Sequence, residues 1–282
     1  MEAKVFDPRV CVLGEGPLWH PERQQLFWVD IINRKMLTRV NGKSQEWQFD
    51  QCVSAAGWID MDNLIIASET GLHRFDVNTG QMDDLMELEA NNPVTRSNDG
   101  RADPWGGFWI GTMGKRLERN AGAIYRFFEG KLEKLYPDIT IPNAICFSPD
   151  KAFAYFTDTA KRQIMHQPLD SAGWPTGEPR VLIDLNAEKI NPDGAVTDRD
   201  GNIWNAQWGA SRVACYSPDG VFLRAVSCPG SQTTCPAFGG DDLSSLFVTS
   251  ANEGLKEPQK GDGQTFVFER LCVGLPEPRV RI

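Results

Sequence analysis

Histidine is scarce in this chain of 282 residues: there are three, His20, His73 and His166. No His-Glu-x-x-His word occurs, so the zinc-hydrolase helix built on it is excluded. The Gly-x-Ser-x-Gly elbow is missing too, which leaves a serine hydrolase without support. His73 and His166 fall late in their sequence units, and His20 falls in an expected turn. Seven cysteines form no Cys-x-x-Cys pair, which argues against structural zinc. Most lie beside apolar residues, as in Ile145-Cys146-Phe147, and read as small buried hydrophobes in a reducing cytosol. No apolar run approaches the roughly 20 residues a membrane helix needs. The start, Met1-Glu2-Ala3-Lys4-Val5, lacks the charged head and apolar stretch of a secretory signal, so a cytoplasmic protein is expected. Basic charge is also in short supply. With 29 Lys and Arg against 38 Asp and Glu, the net charge of -9 argues against nucleic acid or an anionic membrane as partner. A local basic cluster would still hold a small anion, because screening acts over about 8 Å. Gly14-Glu15-Gly16 and Gly106-Gly107 build no phosphate-cradling loop. Helical periodicity is nearly absent; the best stretch, residues 81–90, suits an edge strand equally well.

What the chain does have is nine Trp, fifteen Phe and a recurring short apolar run. These runs start near residues 26, 64, 108, 153, 203 and 246, with Gly, Pro, Asn and Asp turns between them. A spacing of roughly 38 to 50 residues matches one four-stranded blade per unit. Strand signals without helical alternation predict an all-β fold, a six-bladed β-propeller forming one domain over residues 1–282. Residues 253–263 read as a surface loop inside the last blade. Ring closure is expected to pair residues 4–13 with residues 264–271, protecting an otherwise open edge.

About ten or eleven residues before four of these runs stands a polar side chain: Glu15, Asn98, Asn143 and Asp193. The other two units carry Ser54 and Pro236 in that frame. Equivalent positions in a closed repeat lie around one axis, so the polar side chains converge at the mouth of a central channel. One such residue alone reads best as a strand cap or turn former. Four in register favour a site. Glu15, Asn143 and Asp193 offer hard oxygen donors for one divalent cation, Ca²⁺, Mg²⁺ or Mn²⁺, with Zn²⁺ also compatible with carboxylates. Arg96 lies two residues before Asn98 and points the same way along an extended strand. It either grips a substrate oxygen or pairs with a surface carboxylate. Asp99, the next residue, is expected to face away and stabilise the turn.

These same residues resemble the gluconolactonase, regucalcin and luciferin-regenerating-enzyme-like family of six-bladed propellers. The matching words are Gly14-Glu15-Gly16-Pro17-Leu18-Trp19, Asn98-Asp99-Gly100-Arg101, Gly111-Thr112-Met113, Ile141-Pro142-Asn143-Ala144, Pro192-Asp193-Gly194-Ala195 and Phe238-Gly239-Gly240-Asp241. They run through nearly the whole chain in the family's order. The resemblance implies Glu15, Asn143 and Asp193 as metal ligands, Arg96 and Asn98 as substrate contacts, and Asp193 as acid/base. Where regucalcin carries acidic residues after Gly-Thr-Met, this chain has Gly114-Lys115-Arg116. Lys115 and Arg116 are therefore candidate substrate-binding residues for a lactone bearing an acidic group, or else a solvated surface pair.

The expected function is hydrolysis of an aldonolactone to the aldonic acid by a metal-dependent sugar lactonase, with a small sugar lactone as partner. Metal-dependent esterase or phosphotriesterase chemistry on the same fold is one rival. A non-catalytic calcium-binding propeller is the other.

Overall fold

Each apolar run forms the second strand of a four-stranded antiparallel sheet, and six such sheets make six blades. The computed structural model describes residues 2–282. Gln25–Asp30, for example, is buried at all six positions, and Phe153–Asp158 at five of six. Second strands sit between neighbouring blades and are covered on both faces, which is why they read as continuous apolar runs rather than alternating ones. Phe27, Val29 and Met36 of the first blade pack on Trp58, Leu64 and Phe75 of the second. Trp19 stacks on Phe247 at a centroid distance of 5.5 Å, joining the first blade to the last. Each fully buried large apolar side chain contributes about 1.5–3 kcal/mol. Outer strands face solvent and carry charge, as in Lys43–Gln48 and Met82–Glu87, which discourages edge-to-edge pairing. The latter strand settles the ambiguous stretch at residues 81–90 as an outer strand.

The ring closes through the N-terminus. Lys4–Asp7 pairs with Thr265–Phe268 and supplies the outermost strand of the last blade. Among the described residues, helix is limited to one 3-10 turn, Thr159–Lys161, and no helix is long and apolar enough to cross a membrane.

The innermost strands, Gly14–His20, Val53–Trp58, Thr95–Ala102, Pro142–Phe147, Asn191–Thr197 and Gln232–Gly239, surround the channel. Their pairing to the second strand slips in every blade, between Glu15 and Leu18, Val53 and Ala55, Ser97 and Gly100, Asn143 and Cys146, Pro192 and Ala195, and Thr233 and Pro236. A bulge of this kind re-aims side chains and breaks the inside–outside alternation. Two expectations change as a result. In the last blade the residues in the bulge are Thr234 and Cys235, not Pro236; the Thr234 hydroxyl donates to the Gly14 carbonyl at 2.6 Å. His20 is also no turn residue: it ends the first inner strand, fully buried, with its ring 2.9 Å from the Asp60 carbonyl oxygen.

Candidate active site and metal centre

At one end of the channel lies a cavity of about 300 Å³ lined by Glu15, Arg96, Asn98, Asn143 and Asp193. All five are nearly buried, between 4% and 8% exposed. Glu15 and Asn143 are the last paired residues before their bulges, opposite Val29 and Thr157. Each is followed by a left-handed residue, Gly16 at φ 52° and Ala144 at φ 56°. Gly16 also needs its missing Cβ, which would lie 2.6 Å from the Ser54 carbonyl oxygen. Asn98 and Asp193 sit inside their bulges. A Cβ on Gly194, the next residue, would meet the Cys235 sulfur at 2.3 Å, so blade 6 packs directly against the Asp193 turn.

Hydrogen bonds fix how these groups present themselves. The Asn143 Nδ2 donates to Thr159 Oγ1 at 2.9 Å, and that hydroxyl donates to the Pro192 carbonyl at 2.7 Å. The Asn143 carbonyl oxygen is thereby turned the other way, where Asn98 Nδ2 donates to it at 3.1 Å. Asn98 Oδ1 in turn accepts from Arg96 Nη1 at 2.9 Å. Nη1 also donates to the Ser97 carbonyl, while Nε and Nη2 of Arg96 make no hydrogen bond and are not enclosed. No ion pair among the described residues involves Arg96. A nearly buried guanidinium with two open donors in a cavity calls for an acceptor from outside the protein.

The carboxylates near it are perturbed by burial and by one another. Burial, then Asp99, pushes the Glu15 carboxyl up to about 8, against the opposing pull of the Gly16 amide and Arg96. Burial, then Glu15 and Asp99, holds Asp193 well above the usual carboxylate range. Asp99 is itself raised, chiefly by burial. It does not face away from the channel: the bulge keeps it buried within electrostatic reach of Glu15 and Asp193, and its Oδ2 accepts the Ile145 amide at 2.9 Å. Carboxylates buried near one another resist ionising together unless a counter-charge is present. Among the described residues no three His, Cys, Asp or Glu side chains gather as a metal cluster. The side chains that could hold a hard divalent ion are Glu15, Asp193 and the oriented Asn143 carbonyl.

Lys115 and Arg116 stand outside the cavity lining. Lys115 Nζ is 2.7 Å from Glu69 Oε2, and the Arg116 side chain is exposed without an ion pair among the described residues. The cavity wall holds residues that the repeat did not reveal: Met113, Leu117, Trp208 and Glu253. Trp208 ends the second strand of the fifth blade, and Glu253 stands exposed in the loop after Ser245–Ala251. A charged residue in a loop flanking a blade strand was the one sequence signal for Glu253.

This is a six-bladed propeller with an acidic, oxygen-rich site at the channel mouth. The chain belongs to the SMP-30/Gluconolactonase/LRE-like family, whose model matches residues 13–252. A putative sugar lactone lactonase of Rhizobium meliloti (strain 1021) is 42% identical over 277 residues, covering 96% of this chain and 94% of its own length. The 6-deoxy-6-sulfogluconolactonase of Pseudomonas putida is 34% identical over 278 residues, covering 95% of this chain and 94% of its own length. The crystal structure of regucalcin, a calcium-binding protein from Agrobacterium tumefaciens str. C58, has a TM-score of 0.96 and 41% identity. It covers 100% of this chain, and the match takes in 98% of that chain.

Proposed function

We propose that this protein is a lactonase that opens a neutral sugar lactone to the aldonic acid, using one divalent cation held by Glu15, Asn143 and Asp193. The observation that carries this reading is one cavity lined by two buried carboxylates, an oriented amide carbonyl and an arginine without an ion pair. Bound by these residues, a divalent cation supplies Lewis-acid polarisation of the lactone carbonyl and a lowered water pKa. Arg96 offers Nε and Nη2 to substrate oxygens, held in place by its Nη1 bonds to Ser97 and Asn98. Asp193 takes a proton from the water attacking the carbonyl carbon and returns it to the departing ring oxygen. Trp208 and Glu253 lie on the cavity wall, where an aromatic ring and an acceptor suit a sugar ring and its hydroxyls.

The basic pair expected to select an acidic lactone stands outside the cavity lining, and we read the site as one for a neutral lactone. Lys115 is matched by Glu69, Arg116 lies outside the lining, and Glu253 is a carboxylate on the wall. Relatives named as lactonases support the reaction class. A non-catalytic calcium-binding role would use the same three donors but gives Arg96 no task.

The test is a panel of neutral sugar lactones, acidic lactones, open-chain esters and phosphotriesters, read by acid release at fixed pH. The reading predicts turnover of neutral sugar lactones well above the other classes. Preferential turnover of acidic lactones would overturn the neutral-substrate reading, and preferential turnover of phosphotriesters or open-chain esters, or none of any class with metal supplied, would overturn the whole.

A further inference from the structure

The inner strands carry the cavity residues at one end and reach a second, covered face at the other. Arg96 and Asn98 line the cavity, whereas Arg101 and Ala102, at the far end of the same strand, border the C-terminal segment. That segment is pinned across the channel floor. Val280 is buried among Ala55, Ile65 and Phe108, and its amide donates to the Trp58 carbonyl at 2.8 Å. Trp58 Nε1 returns a bond to the Glu277 carbonyl at 2.8 Å, and the Arg281 amide donates to the Gly106 carbonyl at 2.8 Å. Glu277 is thus held beneath the channel, where both its carboxylate oxygens accept from Arg101 Nη1, at 3.1 and 2.9 Å. The two side chains are 8% and 13% exposed.

Arg101 reaches further. Its Nε donates to the Ile145 carbonyl at 3.2 Å, while Asp99, two residues earlier, accepts the Ile145 amide at 2.9 Å. One residue of the neighbouring inner strand is therefore gripped at both its amide and its carbonyl. Ile145 lies two residues past Asn143, across the left-handed Ala144. That kink directly follows Asn143, and it persists in a non-glycine residue only if its surroundings hold it.

We propose that Glu277, acting through Arg101 and the Ile145 backbone, is a positioning residue for the Asn143 carbonyl, so that the C-terminal segment is the anchored floor of the metal site. The inference rests on the metal reading above. Outer partners that orient a ligand change metal affinity about ten- to a hundredfold. Glu277 and Arg101 lie outside the cavity lining.

The test begins with metal-stripped wild-type protein titrated with Mn²⁺ by calorimetry. Glu277→Gln is expected to weaken Mn²⁺ binding by about tenfold or more. Removing one charge of a buried pair strands the other. The double variant Arg101→Met/Glu277→Met, with a filled and uncharged floor, is therefore measured beside it and should show the same loss. A merely structural staple would move the Tm of the metal-free protein and leave the Kd of the folded protein unchanged. Linkage gives a readout in the unaltered protein: Mn²⁺ should slow deuterium exchange at the Val280 and Arg281 amides. If wild type binds Mn²⁺, then wild-type affinity in a folded variant, or exchange indifferent to the metal, overturns the inference. Wild-type protein that binds no divalent ion overturns the proposed metal site, and this inference with it.

Discussion

The Asn98 side-chain amide donates to the Asn143 side-chain carbonyl at 3.1 Å, tying the third blade to the fourth at the channel mouth. Asn98 stands between the unpaired arginine and the oriented carbonyl, bonded to both. It links the group proposed to hold substrate to a group proposed to hold metal.

Replacing Asn98 by Ala should therefore loosen both. We expect metal affinity to fall about tenfold, the size of effect seen for outer partners of ligands. KM should rise as Arg96 loses its tether. Calorimetric titration and steady-state kinetics check this; a variant that changes neither quantity would remove the linking role.

Asp193→Asn should lower kcat/KM by about 10²–10⁴, the range for general acid–base catalysis, and weaken metal binding as well. Asp99→Asn should lose less. It keeps a side-chain oxygen to accept the Ile145 amide and removes a charge that repels Glu15 and Asp193. Equal losses in the two variants would contradict the separate roles.

Stability should depend on pH in a direction set by Glu15. Its carboxyl is raised from 4.5 to about 8, chiefly by burial. In that window the folded, metal-free protein binds more protons than the unfolded chain, so its stability falls as pH rises. A bound cation requires the ligands deprotonated and offsets that loss. The Tm gap between metal-loaded and chelated protein should widen from about pH 5 to about pH 8. Scanning calorimetry that finds a constant or narrowing gap would contradict the donor assignment.

At the rim, Glu253→Gln should raise kcat/KM for an acidic lactone relative to its neutral analogue by roughly two- to fivefold, the scale of an exposed charge. Lys115→Ala/Arg116→Ala should leave that ratio within about twofold, because Lys115 is already matched by Glu69. A large drop for the acidic lactone in the double variant would restore the basic loop as a selector.

The six blades were legible because every second strand is buried on both faces and recurs within a narrow range of spacing, as in Leu26, Phe108 and Ile203. The convergence of Glu15, Asn98, Asn143 and Asp193 on one cavity followed from the same register. What sequence spacing missed traces to the bulges. An unpaired residue in each inner strand breaks alternation, so Asp99 lies in the channel rather than facing away, and Thr234 rather than Pro236 occupies the sixth position. Glu253 and the segment around Glu277 belong to no repeat. Glu253 stands in a loop and Glu277 on a tail, and only tertiary contacts place them.

The most direct test of the account is a joint titration of metal-stripped protein, with bound Mn²⁺ and sugar-lactone hydrolysis followed together. The account predicts negligible turnover without metal, rising in proportion to occupancy and levelling at one ion per chain, with Glu15→Gln abolishing both. Full lactonase activity in protein shown by elemental analysis to be metal-free would contradict it.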